Sequence, residues 1–400
     1  MFASAVNYMD RQTLANVATR LTREFALSQE QYGNLEFAFG WAFAAGSLFF
    51  GILVDRYPVR WVYPTALILW SLAGIATGFS HSYSGLLLCR GGLGFFEGGH
   101  WPCAVKTTRQ LLSPAERSMG NSMLQSGTSV GAILTPLWLR WLLTDDPTSW
   151  RFAFQIVGAI GLLWLVAWFA LIRDDDLQSA TSIPDERSSR PNLWAVLLSR
   201  RMLVLLAVIA LINTGWQTLR AWLPKFLQES RGYTETEALT FNSVFYLATD
   251  VGVFFAGALT LWLHRRGGSV HRSRLVAFGI CAGLSALLVA LPALPRGGLL
   301  LGVLLFVGAG ALGVFPIYHA LSQDLSGPHQ GKVTGVAGIV AWAFAPPAQR
   351  FFGRFIDRTH SFDQGLMLAG ALPLIAWICL LLFWPRPERA MGQSESATAN

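Results

Sequence analysis

The sequence predicts an all-α membrane protein of twelve transmembrane helices arranged as two six-helix bundles. Three observations lead there. Of 400 residues, 53% are hydrophobic and only 13% charged, where an ordinary globular domain carries about 25% charged residues. The apolar residues gather in runs close to the ~20 residues a helix needs to cross a bilayer. One long polar gap divides those runs six and six. The balance excludes a disordered chain, which needs low hydrophobicity and high charge, and a soluble enzyme of this length.

In order, the runs are Phe2–Ala18, Tyr32–Val54, Trp61–Phe79, Tyr83–Leu112, Ser118–Leu143 and Phe152–Ile172, then Leu203–Leu227, Ala238–Leu263, Leu275–Leu294, Gly298–Leu321, Val333–Phe355 and Gly365–Trp384. The first is short, because Asp10 and Arg11 stand so close to Met1. A start placed too late accounts for that better than a half-length helix. The gap holds Asp174-Asp175-Asp176 and a Ser/Pro-containing stretch. The expected organisation is an N-terminal bundle over 1–172, a cytoplasmic linker over 173–201, a C-terminal bundle over 202–386 and a disordered cytoplasmic tail over 387–400.

The net charge of +7 is spread over short clusters between apolar runs, such as His264-Arg265-Arg266 and Arg200-Arg201. That spacing matches the excess of Lys and Arg in cytoplasmic loops and makes no continuous stripe for nucleic acid. Arg265, Arg266, Arg272 and Arg274 crowd one loop without an acid, while the next loop holds only Arg296. Arg350, Arg354 and Arg358 run against the trend, but the balance places both termini in the cytoplasm. The four cysteines, Cys89, Cys103, Cys281 and Cys379, lie singly in or beside apolar segments and read as packing residues. No metal-ligand cluster, nucleophile–base set or phosphate loop is present, so neither an enzyme nor a cofactor is expected. Gly308-Ala-Gly310-Ala-Leu-Gly313 matches a dinucleotide fingerprint without its strand and ribose-binding acid, and reads as helix packing.

An internal repeat supports the six-plus-six division. Gly94, Pro102 and Pro114 recur as Gly308, Pro316 and Pro328, and Gly51 has a counterpart in Gly257. Parallel six-helix repeats with a site at their interface describe a secondary transporter.

The informative residues are charges inside the apolar runs, where each costs at least about 2.5 kcal/mol at a helix centre. They are Asp10, Arg11, Arg90, Glu97, Arg220 and Asp250. Arg90 and Glu97 are two turns apart and project from one helix face. One reading makes them structural ion pairs, Asp10 with Arg90 or Arg11 with Glu97. The other has the arginines bind a carboxylate, whose planar fork they match, while the acids carry protons.

Several motifs resemble one family. Gly51-Ile-Leu-Val-Asp55-Arg56-Tyr-Pro-Val-Arg60 resembles the loop signature of the major facilitator superfamily, with Tyr57-Pro58 where Phe/Tyr-Gly is usual. Asn7-Tyr8-Met9-Asp10-Arg11-Gln12, Arg90-x6-Glu97-x3-Trp101-Pro102 and Ser126-Gly127-x3-Gly131-Ala132 look like the anion:cation symporter family within it, as do Leu321-Ser322-Gln323 and His329-Gln330-Gly331-Lys332. The resemblance implies a major facilitator fold and proton symport of an organic anion, a sugar acid such as a hexuronate or aldonate, by alternating access. It implies proton coupling by Asp10 and Glu97 and substrate binding by Arg11 and Arg90. Phe43 falls where sugar-acid transporters often have a Tyr, and Thr128 near a place where some carry Gln; both changes remove or shorten hydrogen-bonding groups. Asn7, Gln125 and Arg220 complete the expected substrate set, with Arg220 and Asp250 alternatively forming a second charge pair. Asp55, Arg56 and Arg60 are assigned to gating. The expected partners are a small organic anion, protons and the lipid bilayer, with no nucleic acid, in a monomer of the bacterial inner (plasma) membrane. Sodium-coupled or uncoupled carboxylate transport, or export of an amphiphile, stays open beside this reading.

Overall fold

A computed structural model describes residues 1–111, 117–173, 175–177, 193–326 and 330–384. The described residues form α1 (Phe2–Glu24), α2 (Gln29–Arg56), α3 (Val59–Gly78), α4 (Tyr83–Glu97), α5 (His100–Leu111), α6 (Arg117–Leu142) and α7 (Trp150–Leu171). After a short α8 (Leu193–Leu197) come α9 (Arg200–Lys225), α10 (Glu235–Arg265), α11 (Val270–Ala286), α12 (Gly298–Ser326), α13 (Gln330–Thr359) and α14 (Phe362–Phe383). Most of the expected linker and all of the expected tail lie outside the described residues.

Local sequence sets the helix starts. Ser28 with Gln31 and Thr234 with Glu237 form reciprocal capping boxes ahead of α2 and α10, each satisfying amides the first turn leaves free. The fourth expected run is not one helix: α4 and α5 are separated at Gly98-Gly99. Ser47 Oγ donates to the Gly98 carbonyl at 3.0 Å, and a Cβ on Gly98 would meet the Phe43 carbonyl at 2.6 Å. The close approach of α2 therefore needs glycine there. Among the described residues, eight helices are long and apolar enough to cross a membrane. The remaining long passes are α1, α6 and α13, together with α4–α5, which is broken into two shorter helices; α1 and α4 carry Asp10, Arg11, Arg90 and Glu97.

Two bundles result, α1–α7 and α9–α14, and they pack alike. In the first, α2 lies on α4, α3 on α7 and α1 on α6; in the second, α10 lies on α12, α11 on α14 and α9 on α13. The correspondence reaches single residues. A Cβ on Gly94 would overlap the Phe39 backbone, and one on Gly308 would meet the Phe245 ring at 2.5 Å. A Cβ on Gly46 would overlap the Phe95 carbonyl, and one on Gly252 the Ala309 carbonyl. Both pairs obey one rule, a displacement of 206 residues from α2 to α10 and 214 from α4 to α12. Between the bundles, α2 runs along α13 and α10 along α6, an exchange of the same partners, with α1 against α9 at the centre.

Candidate functional site

Where α1, α2, α4 and α9 meet, six ionisable side chains are buried. They are Asp10, Arg11, Glu36, Arg90, Glu97 and Arg220, none more than 6% exposed. Arg11 Nε donates to Glu97 Oε2 at 3.0 Å. Arg220 NH2 donates to Glu36 Oε2 at 2.8 Å, its Nε to Gln217 at 2.8 Å and its NH1 to the Arg11 carbonyl at 3.4 Å. Arg90 NH2 stands 3.8 Å from Glu36 Oε1, an ion-pair distance too long for a hydrogen bond. Glu36 thus faces an arginine of each bundle.

The cluster is only partly satisfied. All three Arg90 nitrogens, Arg11 NH2, Glu97 Oε1, both Asp10 oxygens and both amide atoms of Asn7 are buried without a hydrogen-bond partner. Buried polar atoms in a folded protein are nearly always paired, so this concentration makes the cluster the candidate site. Aromatic rings hold the guanidinium groups instead. Arg11 Cζ lies 4.4 Å from the Phe43 ring centroid and 5.5 Å from that of Trp342, and Arg90 Cζ lies 4.4 Å from that of Phe39. Asp10 points toward α3, where a Cβ on Gly74 would be 3.3 Å from its Oδ1.

With this arrangement of helices and charges in view, the chain can be placed. Residues 1–348 match the family described as Major Facilitator Superfamily. The chain belongs to the Major Facilitator Superfamily. It is 24% identical to a probable L-galactonate transporter of Escherichia coli (strain K12) over 392 residues, 93% of this chain and 84% of that one. It is also 24% identical to a probable sulfoacetate transporter of Cupriavidus necator, covering 98% of this chain and 95% of that one. Among solved structures, a bacterial homologue of the human lysosomal transporter Spinster superposes with a TM-score of 0.73 at 17% identity, covering 95% and 92% of the two chains. This major facilitator protein is therefore a multi-pass membrane transporter and not an enzyme.

The major facilitator frame shows what the bundles do at either end. From the charged centre toward the end opposite the chain termini, α1 and α10 are joined turn by turn. Gln12 Nε2 donates to Tyr246 OH, Asn242 Nδ2 to Asn16 Oδ1 at 2.8 Å, and Arg20 Nε to Glu235 Oε1 at 2.7 Å. Lys225 Nζ donates to Thr22 at 3.0 Å and Tyr32 OH to the Ala221 carbonyl at 2.9 Å. At the rim, Asp357 accepts from the first amides of α2, Gln29 at 2.8 Å and Glu30 at 2.7 Å, and Glu30 meets Arg354 at 2.6 Å. Toward the termini, a Cβ on Gly51 of α2 or on Gly335 or Gly338 of α13 would meet nothing within 4 Å.

The expected site residues divide accordingly. Asp10, Arg11, Arg90, Glu97, Asn7 and Arg220 come together with Phe43 beside them, and Thr128 is buried on α6. The side chain of Gln125 lies outside those described. Asp55 and Arg56 are exposed at the end of α2, and the Arg60 carbonyl accepts from Trp168 Nε1 at 3.1 Å. The charge pair Arg220–Asp250 is not formed. Arg220 turns to Glu36, while Asp250, half-buried on the other seam, accepts from Ser129 Oγ at 3.1 Å. Arg220 lies on α9 facing α1 and α2, so an acid on the α10 face toward α6 is out of its reach. Glu36, Gln217, Tyr246 and Trp342 were not singled out by the sequence. Glu36 had a signal: it is the one acid between Glu30 and Asp55 in an otherwise apolar run.

Proposed function

We propose that the protein is a proton-coupled symporter of an organic anion, working by alternating access between the two bundles in a bacterial inner membrane with both termini cytoplasmic. The observation that carries this is the buried set of three arginines and three carboxyls at the centre. In that set Arg11 and Arg90 keep unpaired nitrogens. Arg11 and Arg90 hold the anion through charge-assisted hydrogen bonds. Three carboxyls against three guanidinium groups are balanced before substrate enters. One added anion leaves one excess negative charge in a low-dielectric site, where that is costly. A proton taken up and passed between Asp10 and Glu97, both of which the relay needs, restores the balance, so anion and proton cross together. Glu36, between Arg90 and Arg220, ties the loaded site to the opposite bundle.

Relatives named for sugar acids supply the first substrates to test. Proteoliposomes with an imposed inside-alkaline gradient are expected to accumulate an organic anion from a panel of uronates, aldonates and small carboxylates. No stimulation by the pH gradient for any anion would remove proton symport, and a sodium gradient in the same vesicles then tests the alternative coupling ion.

A further inference from the structure

The surroundings of Arg11 indicate which kind of anion fits. Four rings pack around its guanidinium, with Cζ 4.4 Å from the Phe43 centroid, 5.4 Å from Phe39, 5.5 Å from Trp342 and 5.9 Å from Tyr8. Phe39, Phe43 and Trp342 form a continuous wall: Phe39 and Phe43 stack at 6.0 Å, and Phe43 meets Trp342 at 4.7 Å. The wall spans the α2–α13 seam, one side from each bundle. Under the displacements of the internal repeat, the other seam has Thr249 in the place of Phe43 and Thr128 in the place of Trp342. The aromatic wall is therefore not something that this helix packing requires.

The unpartnered buried atoms near the wall are the Arg11 and Arg90 nitrogens, the Glu97, Asp10 and Glu36 oxygens, the Asn7 amide, Gln12 Oε1 and, two turns along α13 from Trp342, Gln349 Nε2. The four arginine nitrogens among them suit an anionic head. A sugar acid carries a hydroxyl on nearly every carbon, and those facing Phe43 and Trp342 would leave water without a partner. A flat apolar body would instead stack on the rings.

We infer that the transported anion has a compact anionic head and a flat, hydroxyl-poor body, an arene carboxylate being the class that fits. The inference rests on the anion-transport reading above. The head sits on Arg11 NH2 and Arg90, the body lies against Phe43 and Trp342, and these two rings determine specificity.

Isothermal titration of the purified full-length protein in detergent with benzoate, phenylacetate, D-glucuronate and D-galactonate tests it. Benzoate or phenylacetate is expected to bind at least about tenfold more tightly than either sugar acid. Trp342→Ala should weaken the arene by about tenfold or more and leave the sugar acids within about threefold, while Trp342→Phe keeps arene binding. Equal or tighter binding of glucuronate or galactonate would overturn the inference and leave anion transport standing, as would an equal loss of both classes in Trp342→Ala. Binding of none of the four anions would overturn the anion reading together with it.

Discussion

Where α4 carries Arg90, its counterpart α12 carries Leu304; where α4 carries Glu97, α12 carries Ala311; and where α2 carries Glu36, α10 carries Asn242. All six side chains are buried. The helices around them pack in the same order and with the same glycine contacts, so the second bundle is a control built into the chain. It makes the same architecture from an aliphatic side chain, a methyl group and a neutral amide. The charges of the first bundle are not needed to assemble a bundle of this kind, and replacing buried ion pairs by apolar residues is often neutral or stabilising. Their retention on one side points to work that the fold does not require. The seams differ in the same sense: Glu36 crosses to Arg220 as an ion pair, and Asn242 crosses to Asn16 as a neutral hydrogen bond.

The strongest challenge to that comparison is to remove Glu36, the charge shared by both bundles. Glu36→Gln leaves Arg90 and Arg220 without their counter-charge and is expected to destabilise the protein by about 3–5 kcal/mol. Adding Arg220→Met should recover most of that in a thermal-melting assay without recovering transport. Recovery of transport as well would make the pair structural. Next, Arg90→Leu imposes on the first bundle the residue that the second already uses. Uptake should fall at least about 100-fold, in line with losing a desolvated charged contact, with the melting temperature held within a few degrees. A folded, fully active Arg90→Leu protein would break the comparison.

Much of this was legible in the sequence, for physical reasons that also mark where legibility ends. Twelve apolar runs announce the helices because lipid contact demands them, and Asp10, Arg11, Arg90 and Glu97 stand out because a charge there is costly. Glu36 is as deeply buried, yet it lies only two turns inside α2, where a charge is usually a helix-end residue reaching for water. Gln12, Asn16 and Asn242 are neutral and individually unremarkable in a helix. Their meaning appears only when α1 and α10 are laid side by side. Arg220 was visible as a misplaced charge, but its partner depended on which way α9 faces. The interruption at Gly98-Gly99 is hidden because glycine in a membrane helix is also ordinary close packing.

Smaller effects sharpen the picture at the end opposite the chain termini. Asn242→Leu leaves Asn16 Oδ1 without its donor, and a buried unsatisfied group costs about 1–3 kcal/mol. That should shift the population toward opening at this end by roughly tenfold, read as faster cysteine labelling at its rim; unchanged labelling would show that the α1–α10 contacts do not hold it shut. The least effect belongs to Glu30. Its hydrogen bonds to Arg354 and Arg350 pull its carboxyl down to about 2 from an ordinary value of 4.5. A carboxyl depressed in the folded state stabilises above its unfolded value, and loses that contribution only as pH falls through its folded one. The rim pair therefore stays ionised throughout pH 5–8, and Glu30→Gln is expected to leave the pH profile of uptake unshifted. A shifted profile would move the proton-sensing group from the buried centre to the rim.

Glu97→Gln tests the central claim most directly, because it removes one proton site while keeping size and hydrogen-bonding capacity. In one preparation of proteoliposomes, uptake driven by an inside-alkaline gradient is compared with counterflow of the same anion at equal pH. Gradient-driven uptake should be abolished while a measurable part of counterflow persists, since exchange needs the anion site but no net proton transfer. Equal loss of both would mean that Glu97 serves binding or folding, and the division of labour between its carboxyl and the arginines would be wrong.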